Sequence, residues 1–253
     1  MKLSSVPVFS FFYGLYEEIW FRLFHGPVFH RFLNHKYSYY TNLPWPKKLK
    51  FLRLVRDHYE YFEFIPRNDV NLTRAMKAII CCGASQLVFG LPRESLTYFE
   101  KIIVYPDYYN SKYTHKRHKG EVNPGLRVIV FSWRGVMEGL DRPDDGLNLL
   151  LHEFAHALWL EHKLMHHQYK VLNEDVIEEF EKLAAAEMTE LHANEQHFFR
   201  RYAFKSIEEF FAVAVENFFE RPETFSKELP HLYTVITKIL KQDSLQFSKA
   251  NPL

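Results

Sequence analysis

Cysteine is almost missing from this chain of 253 residues: there are two, and they are neighbours, Cys81 and Cys82. Adjacent cysteines seldom close a disulfide, so no disulfide framework staples the fold. A reducing cytoplasm is the expected setting, with the pair read as small buried thiols on a helix. A surplus of one charge is missing too. Lys plus Arg number 32 against 31 Asp plus Glu, a formal net charge of +1, which excludes the strongly basic surface of a dedicated nucleic-acid binder. No apolar run reaches the roughly 20 residues of a membrane-spanning helix. The stretch from Val6 to Tyr16 is too short for that and lacks the small-residue cleavage site of a signal peptide. Continued through Ile19, Trp20, Phe21, Leu23 and Phe24, it reads as an aromatic amphipathic helix that packs on the body of the protein rather than on a membrane surface. Internal repeats and low-complexity segments are absent as well.

Aromatic residues, by contrast, are plentiful. Phe and Tyr number 24 and 15, and hydrophobic residues make up 47% of the chain, enough for one large core or two small ones. Leu43-Pro-Trp-Pro46 breaks the pattern and divides an aromatic helical extension, 1–46, from a main domain, 47–253. Helical spacing of apolar residues runs from Lys47 to about Phe64 and from Asn71 to about Phe89, where Gly90 and Pro92 end it. Lys101–Tyr105 and Arg127–Ser132 read as strands. The polar stretch 110–125 between them reads as a solvated loop, in which His115 and His118 could at most suit a second metal. Residues 161–200 suggest one or two helices. Ser206 caps a further helix to Phe219, and a last helix lies near Leu232–Leu240. These expectations describe an α+β fold, mostly helical, with a small sheet beside one central helix.

That central helix contains His152-Glu153-Phe-Ala-His156. Positions four apart stand one above the other on a helix, so both imidazoles can reach one ion. Zinc takes imidazole nitrogen at roughly 2.0–2.1 Å, and a catalytic site leaves one position for water. Glu153 would face that water as a general base. The opposite face is apolar (Leu149, Leu150, Leu151, Phe154, Leu158), and Asp144-Asp145-Gly146 reads as a capped start.

Three positions compete for third ligand. His162 has the spacing of the metzincin pattern, but that pattern needs a glycine where this chain has Trp159. If the helix continues, His162 lies about 15 Å beyond His152, a surface histidine near the helix end rather than a ligand. Glu209 and Glu216, two turns apart on one face of an apolar helix, are costly there unless paired or bound to a metal. A glutamate delivered by a second helix is the gluzincin arrangement, His₂Glu. Arg127–Ser132, about twenty residues before the metal helix, either borders the cleft and pairs with an extended substrate or is a plain core strand.

His152-Glu-Phe-Ala-His156 and Tyr202-Ala-Phe-Lys-Ser-Ile-Glu-Glu-Phe-Phe-Ala-Val-Ala-Val-Glu-Asn-Phe-Phe219, with Pro222 following, resemble the Mlc titration factor A family of zinc-dependent peptidases and, more distantly, the catalytic domain of anthrax lethal factor. Ile103-Val-Tyr-Pro106, Val130-Phe-Ser-Trp133 and Asp141-Arg-Pro-Asp-Asp-Gly-Leu-Asn148 add to the resemblance, which spans roughly residues 50–240. It implies a zincin-like metallopeptidase domain with Zn²⁺ on His152, His156 and Glu209, Glu153 as general base, Tyr202 as hydrogen-bond donor to the oxyanion, and Glu216 orienting a ligand histidine. Relatives usually carry an aspartate at the place of Trp159, so that acid would be missing here or supplied by Glu161. The implied activity is hydrolysis of a peptide or protein substrate, aminopeptidase-like as one form. The family's name points to an alternative: a regulatory binding protein that sequesters a transcriptional repressor, with peptidase activity secondary.

Overall fold

The computed structural model describes residues 30–248, leaving aside 32, 35–36, 112–116, 166–167, 170 and 192–196. The aromatic helix expected before residue 25 and the histidine at 115 therefore lie outside the described residues. In chain order the elements are α1 (Ser38–Asn42), α2 (Trp45–Tyr61), β1 (Glu63–Pro66), α3 (Arg74–Leu87), β2 (Lys101–Tyr105), β3 (Tyr109–Asn110), β4 (Arg117–His118), β5 (Gly120–Asn123), β6 (Val128–Ser132), α4 (Trp133–Asp141), α5 (Leu149–Met165), α6 (Glu174–Leu191), a 3₁₀ turn (Arg201–Lys205), α7 (Ile207–Glu220), α8 (Pro222–Glu228), α9 (Pro230–Leu240) and α10 (Leu245–Ser248). The domain is α+β and mostly helical, as its patterning suggests.

Four strands form one sheet in the order β1-β2-β6-β5; the first three are parallel and β5 runs antiparallel to β6. Ile102, Val104, Ile129 and Phe131 alternate onto the helix-covered face and are fully buried. The Phe131 ring meets Phe154 of α5 at 5.3 Å between centroids. Val128 and Val130 point the other way, into a small cluster with Tyr109, Ile103 and Tyr105.

Two expectations about this sheet need correction. Arg127–Ser132 cannot pair with an extended substrate, because β6 has β2 on one side and β5 on the other. The outer strand on that side is β5, which lies within the stretch read as a solvated loop. Val122 is its only apolar residue, so no alternation marks it; its pairing, Gly120 with Phe131 through Asn123 with Val128, makes it a strand. Similarly, the helical pattern expected to run to Phe64 stops at Tyr61, and Phe64 instead pairs with Ile102 in β1.

Helix α5 packs between α3 and α7 and against β5 and β6. One hydrophobic cluster joins all of these to the residues before α2: Leu33, Tyr37, Tyr39, Tyr40 and Leu43 are buried in it. Tyr39 also donates a hydrogen bond to Gln242 near the other end of the chain, at 2.9 Å. Among the described residues no helix is long and apolar enough to cross a membrane.

Candidate metal centre

Helix α5 starts three residues later than Asp144-Asp145-Gly146 suggests. Asp145 instead closes the preceding turn by accepting the Leu147 N–H at 2.9 Å, and Asn148 caps the helix by accepting the Leu151 N–H at 3.2 Å. Gly146 has φ +74°, and a β-carbon there would stand 2.7 Å from Asn217 Oδ1, so both conformation and space require glycine. The free N–H groups of this segment are taken up by acids of α7. Glu220 Oε2 accepts from Gly146 and Leu147 at 3.0 and 3.1 Å, and Glu216 Oε2 accepts from Asn148 at 3.0 Å. The Asn148 side chain adds a bond to Glu220 Oε1 at 2.9 Å. The last two turns of α7 thus hold the entrance of α5.

One and a half turns into α5, His152 and His156 face the first turn of α7. His152 Nε2 lies 3.2 Å from His156 Nε2 and 3.2 Å from Glu209 Oε2, and His156 Nε2 lies 3.3 Å from the same oxygen. Glu216 contacts the other nitrogen of His152, Nδ1. A carboxylate there makes Nδ1 the proton donor and leaves the Nε2 lone pair pointing at the triangle. Glu209 Oε2 is buried and accepts no well-aligned hydrogen bond. In this neutral form of His152, the electron pairs of Nε2 and of Glu209 Oε2 face one another across the triangle. A cation satisfies them: ligands at about 2.0–2.1 Å from a tetrahedral ion stand about 3.3–3.4 Å apart, close to the edges of this triangle. Among the described residues this is the one cluster of three such groups that could hold a metal ion.

The same acids set the charge on this cluster. Burial disfavours charge on His152, but Glu216 and Glu209 outweigh it and carry the imidazole up to about 10. Burial likewise opposes the charge of Glu209, yet the two imidazoles hold it well below the usual carboxylate range. Glu216 is lowered against its own burial by His152 and Arg200. Without an ion these carboxylates favour a proton on His152, which a metal bound at Nε2 would displace.

Glu153, 6% exposed, stands beside the triangle with its carboxyl seated on Gly120 of β5. Burial raises its pKa, with only partial relief from His152 and His156. Tyr202, on the 3₁₀ turn, donates its hydroxyl to Glu209 Oε1 at 2.8 Å; its ring is 40% exposed. The structure therefore brings together all six expected site residues, His152, Glu153, His156, Tyr202, Glu209 and Glu216.

Other candidates fall away. Helix α5 runs unbroken to Met165, so His162 remains far from the triangle, and it is buried rather than at the surface, 3.6 Å from Glu174. Glu161 does not replace an acid at position 159. Five residues beyond His156, it sits about 140° round the helix, where it accepts the N–H groups of Leu96, Thr97 and Tyr98 at 2.6–3.0 Å and the Tyr169 hydroxyl at 2.6 Å. Trp159 is buried against Phe180 and Phe211. His118 is in β4, paired with Tyr109.

Sequence reasoning did not single out Gly120, Asn148, Arg200 or Glu220. Arg200 makes a two-pronged ion pair with Glu216, at 2.9 and 2.7 Å, and also donates to the Gly146 carbonyl at 2.7 Å. Glu220 offered a signal, since it follows Glu216 by one helical turn.

A helix with His-x-x-x-His crossed by a second helix that presents a glutamate defines a class of His₂Glu metal-site domains. The family model described as glucose-regulated metallo-peptidase M90 matches residues 26–241, and the chain belongs to that family. An uncharacterized protein of Synechocystis is 24% identical over 227 residues, covering 84% of this chain and 82% of its own length. Proteins named Mlc titration factor A from Pectobacterium atrosepticum and Edwardsiella ictaluri are 26% and 27% identical, over 72% and 78% of this chain and 74% and 81% of theirs.

Proposed function

We propose that this chain is a zinc-dependent peptidase in which His152, His156 and Glu209 hold the ion and Glu153 is the general base. The observation that carries the reading is the triangle of three converging electron-pair donors, with edges of 3.2–3.3 Å. When bound, zinc would polarise the scissile carbonyl and acidify the attacking water. Glu153 takes the proton from that water and passes it to the leaving amine. Its upward-shifted pKa brings the carboxylate nearer the working pH, where a group that must both accept and release a proton is most effective. Tyr202 turns its hydroxyl from Glu209 to the oxyanion, a movement its exposed ring permits. Glu216 keeps His152 in one tautomer and one orientation. Both cysteines are free and buried in α3, which suits a cytoplasmic enzyme.

Metal content per chain after dialysis, wild type beside Glu209→Ala and Glu153→Gln, tests the assignment. About one zinc is expected in the wild type and in Glu153→Gln, and little in Glu209→Ala. Peptide hydrolysis should fall by about 10²–10⁴-fold in Glu153→Gln. Zinc retained by Glu209→Ala would remove that residue from the ligand set.

A second reading rests on the relatives named Mlc titration factor A. On that reading the chain is a regulatory binding protein that sequesters a transcriptional regulator, and hydrolysis is secondary. Glu153→Gln separates the two, since Leu33, Tyr39, Tyr40 and Leu43 belong to the core and residues 1–46 cannot be deleted cleanly. Loss of hydrolysis together with the regulatory effect would make peptidase activity primary; a regulatory effect kept without hydrolysis would favour sequestration.

A further inference from the structure

We propose that Arg200 is a positioning residue for the metal centre: its guanidinium locks the Glu216 carboxylate onto His152 and ties it to the loop that opens α5. The inference rests on the zinc reading above. Glu216 is 1% exposed and has no slack. Oε1 faces His152 Nδ1 and Arg200 Nη2, while Oε2 takes Arg200 Nη1 and the Asn148 N–H. Apart from the imidazole it orients, Arg200 is the cation paired with this buried carboxylate. Stripped of Arg200, the carboxylate keeps one contact per oxygen, His152 Nδ1 on Oε1 and the Asn148 N–H on Oε2, but loses its charge partner, and a buried charge so stripped is strongly destabilised in place. As it shifts toward water or another donor, His152 Nδ1 follows it, and the Nε2 lone pair leaves the triangle.

The same guanidinium reaches further. Nη1 donates to the Gly146 carbonyl at 2.7 Å, two residues before the asparagine that caps α5. Tyr202 follows two residues later in the chain, with its ring centroid 5.8 Å from the guanidinium carbon. Arg200 thus fixes three parts against one another: the start of the helix bearing both histidines, the carboxylate behind His152, and the turn that presents Tyr202 to Glu209. A lysine cannot reproduce this, since one ammonium lacks the rigid fork that meets both Glu216 oxygens and the carbonyl together.

The test compares full-length wild type, Arg200→Lys and Arg200→Ala by three measurements: zinc dissociation constant by competition with a chromophoric chelator, kcat and KM on one fluorogenic peptide at saturating zinc, and melting temperature. Residues behind a ligand histidine usually change affinity or activity by about 10–100-fold. Arg200→Lys should show a loss of that size in zinc affinity and in kcat, with KM nearly unchanged. Added guanidinium at millimolar concentration should recover part of the affinity in Arg200→Ala. Wild-type affinity and kcat in both variants would overturn the proposal. So would a fall in melting temperature with no weakening of zinc in the molecules that remain folded, since Arg200 would then serve stability alone. Absence of zinc binding by the wild type would fell the peptidase reading first and this inference with it.

Discussion

Gly120→Ala is the sharpest probe of the proposed catalytic arrangement, because it replaces neither a proposed ligand nor the proposed base. A β-carbon built on Gly120 would lie 2.5 Å from Glu153 Oε1, 2.6 Å from its Cγ and 2.7 Å from its Cδ. The closest ordinary van der Waals contact is 3.4 Å, so Cγ must retreat by about 0.8 Å. Turning the carboxylate tip does not relieve this, since Cγ sits near the root of the side chain. Either Glu153 adopts a new rotamer or β5 moves off α5. Overpacking of this kind costs about 1–3 kcal/mol of stability. A misplacement near 1 Å costs about 10²-fold in rate when reacting groups must be aligned. The three atoms nearest the new β-carbon all belong to Glu153, so the substitution acts first on that side chain and should leave the proposed zinc triangle in place. The expected outcome is full zinc content, a melting temperature lowered by several degrees, and kcat reduced by about 10²-fold with KM little changed. The assays are elemental analysis, a thermal melt and steady-state hydrolysis of a fluorogenic peptide. A variant that binds zinc and hydrolyses the peptide within threefold of wild type would refute the placement of Glu153 as base.

Glu161→Ala should destabilise the domain by about 3 kcal/mol without changing zinc stoichiometry in folded protein, because it strands one buried and two partly buried N–H groups of the 96–98 loop; chemical denaturation measures it. Glu220 gives a pH signature. Burial, opposed by the Asn148 hydrogen bond and reinforced by Glu216 and Asp145, carries it from 4.5 up to about 8. The folded chain therefore holds this proton more tightly than the unfolded chain does. The resulting stability is complete below pH 4.5 and fades as pH rises through 8. The melting temperature of the wild type relative to Glu220→Gln should fall across that window, and a difference independent of pH would show that Glu220 does not titrate there.

The helices and the central strands were legible because their signals are local. Ser206 caps α7 as expected, accepting the Glu209 N–H at 3.3 Å, and Lys101–Tyr105 carries the β-branched run that became β2. The ligand set was open to sequence geometry alone, which left His162, Glu209 and Glu216 in competition; the resemblance chose Glu209, and the structure places that side chain at the imidazole tips. What escaped detection depends on contacts between distant segments. Gly120 is one of nine glycines, and only the approach of α5 makes it special. Arg200 meets Glu216 because a 3₁₀ turn folds back against α7, and no spacing rule encodes that turn. β5 offers only Val122 to the core, because the next position on the same face is Gly120, where the Glu153 carboxyl rests in place of a side chain.

Nearly every group at this centre comes from two short stretches of chain, 145–156 and 200–220, with one glycine from a third. These two stretches hold each other: acids at the end of α7 secure the start of α5, while the start of α7 completes the triangle that α5 begins. The centre is in effect a clasp of two crossing helices whose fastening does not depend on the length or order of what lies between them. For protein design, that makes it a portable unit. A scaffold with two helices at this crossing, a 3₁₀ turn leading into the second and a side-chain-free strand beside the first would have the parts needed to accept it.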